Sequence, residues 1–172
     1  SEAVAIPYDE AGFLEARSVT VQSCIAAPHA ERSREASRQL LGMGSDDFVV
    51  ITVARFTPQK NHALLFAAAR HVAQAAPQTR FVWVGDGPGR AVLQEQAIDS
   101  GLAESIMFLG ERNDVPDLLN ASDLFVLPSR FEGLPIALLE AMALGLAIVA
   151  TRIGGTCEAL GDDYPWLVEP ED

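Results

Sequence analysis

The chain has 172 residues, 49% of them hydrophobic and 21% charged, which suits one globular domain large enough to bury a core. Its formal net charge of −12, from 24 acidic and 12 basic side chains, speaks against a nucleic-acid partner, which needs clustered Lys and Arg against the phosphates. Two cysteines, Cys24 and Cys157, match no metal or redox spacing and cannot build a disulfide framework, so both are expected as small buried or half-buried thiols.

The first 47 residues are short apolar pieces punctuated by Pro7, Gly12 and Pro28, with a strand expected over 18–25 and an amphipathic helix over 30–42 ended by Gly42. From Asp46 onward, apolar runs of five to seven residues alternate with helical patterns, the sequence form of βαβ units. Strands are expected over 48–54, 80–84, 105–109, 123–127, 146–150 and 166–168, and helices over 61–76, 89–101, 115–120, 135–144 and 156–160. The fold class is therefore α/β: a doubly wound, mostly parallel, Rossmann-like sheet with helices on both faces and its ligand at the carboxyl ends of the strands. Charge is uneven along it. Residues 48–110 carry 5 basic and 4 acidic side chains, against 4 and 8 before them and 3 and 12 after, so the middle third is where a phosphate is best seated. No leader pattern opens the chain and no lipidation motif closes it, and a reducing cytoplasm is the expected compartment.

Residues 133–150, GLPIALLEAMALGLAIVA, hold a single charge, Glu140. A membrane span needs roughly 20 apolar residues, but Pro135 opens this run and Gly145 splits it, so it reads as a helix followed by a buried strand. A lone carboxylate in such surroundings has to be paired, hydrogen-bonded or turned to a ligand. Glu132 falls on the loop before the helix and Glu140 in its second turn, while Gly133, Leu134 and Ile136 offer backbone N–H groups at the positive end of the helix dipole. Earlier in the chain, V-A-R-F-T-P-Q-K-N-H sets Arg55 directly after a strand and Lys60 just before a helix, two cations able to clamp a diphosphate. V-G-D-G-P-G-R, which begins its glycines at Gly85, lacks the spacing of a dinucleotide fingerprint. His29, His62 and His71 have no metal-ligand spacing, and no nucleophile triad is recognisable.

Glu132, seven intervening residues and Glu140, within E-G-L-P-I-A-L-L-E-A-M-A, resemble the E-x7-E signature of the retaining nucleotide-sugar glycosyltransferases of family 4, in the C-terminal half of their GT-B fold. The resemblance implies that Glu132, beside Phe131, lies at the donor sugar as the catalytic residue and that Glu140 binds the ribose hydroxyls. It further implies that Arg55 and Lys60 hold the donor's phosphates, that Gly85 opens a G-x-G-P turn where backbone approaches the nucleotide, and that Arg112, in F-L-G-E-R-N-D-V-P, lines the base site. Ala54 stands where the family commonly has Gly, and Ala26-Ala27-Pro28-His29 replaces its usual turn.

By this resemblance, residues 1–20 are a remnant of the interdomain hinge and 21–172 a nucleotide-sugar-binding domain, cut before the family's final helices and lacking the N-terminal acceptor-binding domain. The implied activity is transfer of a sugar from a UDP- or GDP-sugar to an acceptor with retention of configuration. No cofactor or metal is required, because cationic side chains and the helix dipole neutralise the diphosphate. The fragment by itself is expected to be inactive, and any membrane association would come through the missing part. The alternatives are a GT-B-related nucleotide-sugar epimerase and a non-catalytic nucleotide-binding or scaffolding domain.

Overall fold

Period-two alternation along the apolar runs decides which face of a sheet each side chain takes, and the two faces here carry separate cores. The computed structural model describes residues 24–170. The expected hinge remnant at 1–20 lies outside them, as does the expected strand over 18–25 apart from Cys24 and Ile25, which have no regular structure. In chain order the elements are α1 (Arg34–Leu40), β1 (Phe48–Val53), a 3-10 turn (Pro58–Lys60), α2 (His62–Ala75), β2 (Thr79–Val84), α3 (Arg90–Asp99), β3 (Ile106–Gly110), α4 (Val115–Ala121), β4 (Leu124–Leu127), α5 (Ile136–Ala143), β5 (Ala147–Thr151), α6 (Gly154–Leu160) and β6 (Leu167–Val168). The strands form one sheet in the order β3-β2-β1-β4-β5-β6, with every pairing parallel.

Val49 and Ile51 of β1 join Val82, Val84, Phe125, Leu127, Leu138 and Ile148 in the core under α4, α5 and α6. Val50 points the other way, to Phe81, Trp83, Leu65, Phe66 and Leu93 under α2 and α3. The apolar run at 133–150 divides at Gly145, whose φ of +75° ends α5, and among the described residues no helix is long and apolar enough to cross a membrane. α1 begins four residues later than expected because Ser33 is extended (φ −64°, ψ 157°) and its hydroxyl accepts from the Ala36 N–H at 3.2 Å, so the helix starts at its cap. Cys157 is half-buried as expected, whereas Cys24 is exposed, at the start of residues 24–30, which have no regular structure.

Asp123, at the amino edge of the sheet, ties three elements together. It accepts from Arg34 and Arg38 of α1, the latter at 2.7 Å, and from the Val49 N–H at 2.7 Å. Arg38 is itself buried, and its remaining donors go to the carbonyls of Ala121, Gly44 and Asp47. This network lies at the opposite end of the strands from the loops that matter below.

His62 opens α2 stacked on Phe56, with ring centroids 4.1 Å apart, and is 4% exposed; neither ring nitrogen has a hydrogen-bond partner. Burial, with a smaller contribution from Lys60, pushes its pKa down to about 4. The fold therefore holds a neutral ring while the unfolded chain takes up a proton near the ordinary value of 6.5. Stability should be full above pH 6.5 and fall as the pH drops toward about 4. His62→Phe, which keeps the stack and removes the titration, should flatten that stretch of the stability–pH curve in urea melts; an unchanged slope would assign the acid sensitivity elsewhere.

Candidate functional site

β1 and β4 are neighbours in the sheet but not in sequence, so the connections leaving their carboxyl ends run to helices on opposite faces and open a crevice between them. Two loops, residues 54–61 after β1 and 128–135 after β4, line this crevice, and they carry Arg55, Lys60, Phe131, Glu132, Gly133 and Leu134. They are stitched together by backbone: the Arg130 N–H donates to the Gln59 carbonyl at 2.8 Å, and the Gln59 amide donates to the Phe131 carbonyl at 2.9 Å.

Glu132 is the centre. Its side chain is only 6% exposed, and its Oε1 accepts both the Lys60 ammonium and the Ser129 hydroxyl, the latter at 2.6 Å. Among the described residues nothing donates to Oε2, and that oxygen is not sealed from solvent. The carboxylate is thus neutralised on one side and open on the other. Lys60, expected on a phosphate, pairs with Glu132 here. The Arg55 side chain is exposed, with no hydrogen bond or ion pair among the described residues.

α5 begins one residue later than its Pro would suggest. Pro135 is extended (φ −74°, ψ 111°) and serves as the N-cap, its carbonyl accepting from Leu138 and Leu139. The N–H groups of Gly133, Leu134 and Ile136 have no partner among the described residues, so they remain available to an anion at the helix start. Glu140, in the second turn of α5, is half-buried, its carboxyl group has no hydrogen-bond or ionic partner among the described residues, and burial raises its pKa. The ionised form is therefore disfavoured in the ligand-free fold. The cost is complete above the raised pKa and is relieved as the pH falls through it. Glu140→Gln should melt higher than the parent at pH 7, with the advantage fading toward pH 4; a lower melting temperature would mean that the carboxylate has a partner.

Gly85 and Gly87 do structural work between loops. A Cβ on Gly85 would lie 2.2 Å from the Ala54 carbonyl oxygen, and one on Gly87 would lie 2.8 Å from that of Phe56, with φ at +128° and +150°. Both glycines thus let the turn after β2 lie against the loop after β1, and the contact at Gly85 is made with the protein's own backbone. Arg112 is exposed and forked onto Asp114 at 2.8 and 2.7 Å. That hydrogen bond holds the Asp114 carboxyl below its usual range and pushes the guanidinium up. The pair borders a polar recess lined by His29, Arg32, Asn113 and Asp117, off the carboxyl end of β3. Phe131 is 64% exposed.

The sequence reading passed over the support beneath Glu132. Ser129 and Thr151 are buried, and the Thr151 hydroxyl donates to the Ser129 carbonyl; the Thr156 hydroxyl donates in turn to the Thr151 carbonyl. Gly155, in the first turn of α6, is packed so that an added Cβ would sit 1.8 Å from the Gly133 carbonyl oxygen. The available signal was a hydroxyl residue at the carboxyl end of each of two buried strands, Thr151 as the last residue of β5 and Ser129 just past Pro128 after β4.

The profile described as Glycosyl transferases group 1 matches residues 33–172. The chain is 38% identical over 138 residues to UDP-Gal:alpha-D-GlcNAc-diphosphoundecaprenol alpha-1,3-galactosyltransferase of Escherichia coli, covering 78% of this chain and 36% of that enzyme. Among solved structures it is similar to HepE of Anabaena in complex with UDP and glucose, with a TM-score of 0.72 and 32% identity over 80% of this chain and 38% of that one. It is also similar to the C-terminal domain of the glycosyl transferase group 1 family protein LpcC of Francisella tularensis, with a TM-score of 0.70 and 28% identity over 83% of this chain and 77% of that one. With most of its sequence matched, from residue 33 to its last residue, this chain belongs to the group 1 glycosyltransferases.

Proposed function

We propose that this chain is the donor-binding domain, the C-terminal half, of a retaining GT-B glycosyltransferase that moves a sugar from a UDP- or GDP-sugar to an acceptor held by an N-terminal domain of the same protein. The observation that carries this reading is the state of Glu132. Its Oε1 is occupied by Lys60 and Ser129 and its Oε2 is open, beside three N–H groups at the start of α5 that have no partner among the described residues. A carboxylate so held suits a sugar that develops positive charge, and the adjacent N–H groups suit the phosphates that leave it. Arg55 and, once released from Glu132, Lys60 add cationic side chains to the leaving diphosphate. Glu140 holds the ribose hydroxyls, which explains a half-buried carboxylate without a partner among the described residues. No metal is needed for this neutralisation. Domain names of the relatives support the same division, since the Francisella neighbour is itself described as a C-terminal domain.

The test is a calorimetric panel of UDP, GDP, ADP and their sugars against this chain. One nucleoside diphosphate and its sugar should bind in preference to the rest. With one wall of the cleft supplied by another domain, affinity should be weak, on the order of 0.1 to 1 mM, or roughly 4 to 5.5 kcal/mol. Incubation with radiolabelled donor and a broad acceptor panel should give no transfer, because the acceptor surface is lacking. Robust transfer by the purified chain would refute the half-enzyme reading, and no binding by any nucleotide would refute the donor site. Within the same panel, Glu140→Gln should weaken discrimination against 2′-deoxy nucleotides; unchanged discrimination would remove Glu140 from the ribose.

A further inference from the structure

We infer that Ser129 is a positioning residue for Glu132: its buried hydroxyl fixes one carboxylate oxygen, so that the other always faces the sugar, whatever Lys60 is doing. The inference rests on the donor-site reading above. Glu132 Oε1 has two donors of different kinds. Lys60 ends the 3-10 turn with its side chain 16% exposed, and its ammonium is carried on a four-carbon stem with several free torsions, so an arriving diphosphate can draw it away. Ser129 cannot follow. It has a single side-chain torsion, is 0% exposed, and its carbonyl is held by the hydroxyl of Thr151, itself 1% exposed. Thr151 is held in turn by Thr156, 0% exposed, at the start of α6. The line of three buried hydroxyl residues runs from α6 to the carboxylate and ends there. Buried hydroxyls persist where every donor is used. This line lets Lys60 serve the phosphates without freeing the carboxylate to rotate.

The experiment uses Ser129→Ala, Glu132→Ala and the double variant of this chain, with calorimetry of a nucleoside diphosphate and its sugar and a crystal structure of S129A with the nucleoside diphosphate bound. We expect S129A to bind the nucleoside diphosphate within twofold of the parent and its sugar at least tenfold more weakly. In the Glu132→Ala background the same change should cost less than twofold, because a residue acting through Glu132 has nothing left to act on. In that crystal, with Lys60 turned to the phosphates, the Glu132 carboxylate should lose its single orientation while the main chain of residues 128–135 stays in place. Equal losses for both ligands, additive losses in the double variant, or a carboxylate unmoved in the S129A crystal would overturn the inference. If the parent itself gains nothing from the sugar, the donor-site reading fails, and the crystal still decides whether Ser129 orients Glu132.

Discussion

Gly155→Ala is expected to destabilise the chain by about 3 kcal/mol and to abolish the preference for a nucleotide sugar over its nucleoside diphosphate. Gly155 is buried in the first turn of α6, and a Cβ there would stand 1.8 Å from the Gly133 oxygen, 2.7 Å from its carbonyl carbon and 3.0 Å from the Glu132 oxygen. None of these is the far end of a flexible side chain, so one of two backbones has to move. Withdrawing α6 would break the Thr156–Thr151 contact, and withdrawing the loop would shift Glu132 from Lys60 and Ser129. Either movement reaches the carboxylate. For a domain of this size the loss corresponds to a fall in Tm of about 6 to 12 °C. Gly44→Ala is the control, since its Cβ would meet nothing closer than 3.7 Å, and it should melt close to the parent. A Gly155→Ala chain that melts with the parent and still prefers the sugar would show that α6 does not brace the loop.

The sheet was readable because each of its parts announces itself over a few residues. Strands buried on both faces read as continuous apolar runs, and Gly145 and Pro135 divided the longest one where the chain turns. Most boundaries moved by only one or two residues, for local reasons such as the extended Pro135 acting as a cap. The strand order 3-2-1-4-5-6 was not in the pattern, because right-handed crossovers allow more than one order for a doubly wound sheet.

The site was legible in a narrower sense. Glu132, Lys60 and the α5 start could be named because ionisable groups and glycines are conspicuous amid apolar sequence. What joins them could not. Lys60 meets Glu132 across 72 residues of sequence, and Thr151 meets Ser129 across 22, and neither contact leaves a local pattern. The glycines after β2 show how one residue type answers two demands, since Gly85 is already required by the backbone of Ala54. Local patterns report conformation, whereas pairing across the crevice is a property of the sheet order.

Lys60→Met and Arg55→Gln should separate two jobs that one salt bridge combines. In the ligand-free chain Lys60 neutralises a carboxylate whose side chain is 6% exposed, so its removal leaves a charge held by the Ser129 hydroxyl alone. Breaking a buried pair in this way costs about 3 kcal/mol. The Arg55 side chain is exposed and has no partner among the described residues, so Arg55→Gln should leave stability within about 0.5 kcal/mol of the parent. Both variants should bind the nucleoside diphosphate more weakly by roughly 1.5 to 3 kcal/mol, the worth of a charge-assisted contact to phosphate, while the affinity for the bare nucleoside is unchanged. Equal losses for uridine and its diphosphate would take both cations away from the phosphates. Combining Lys60→Met with Glu132→Gln then decides between the jobs. With no unpaired charge remaining, urea melts should recover most of the lost stability, because replacing both members of a pair costs far less than stranding one. Diphosphate affinity should not recover, since the cation is still missing. If stability and diphosphate binding return together in the double variant, Lys60 serves only to hold Glu132, and the phosphate falls to Arg55 and the α5 N–H groups.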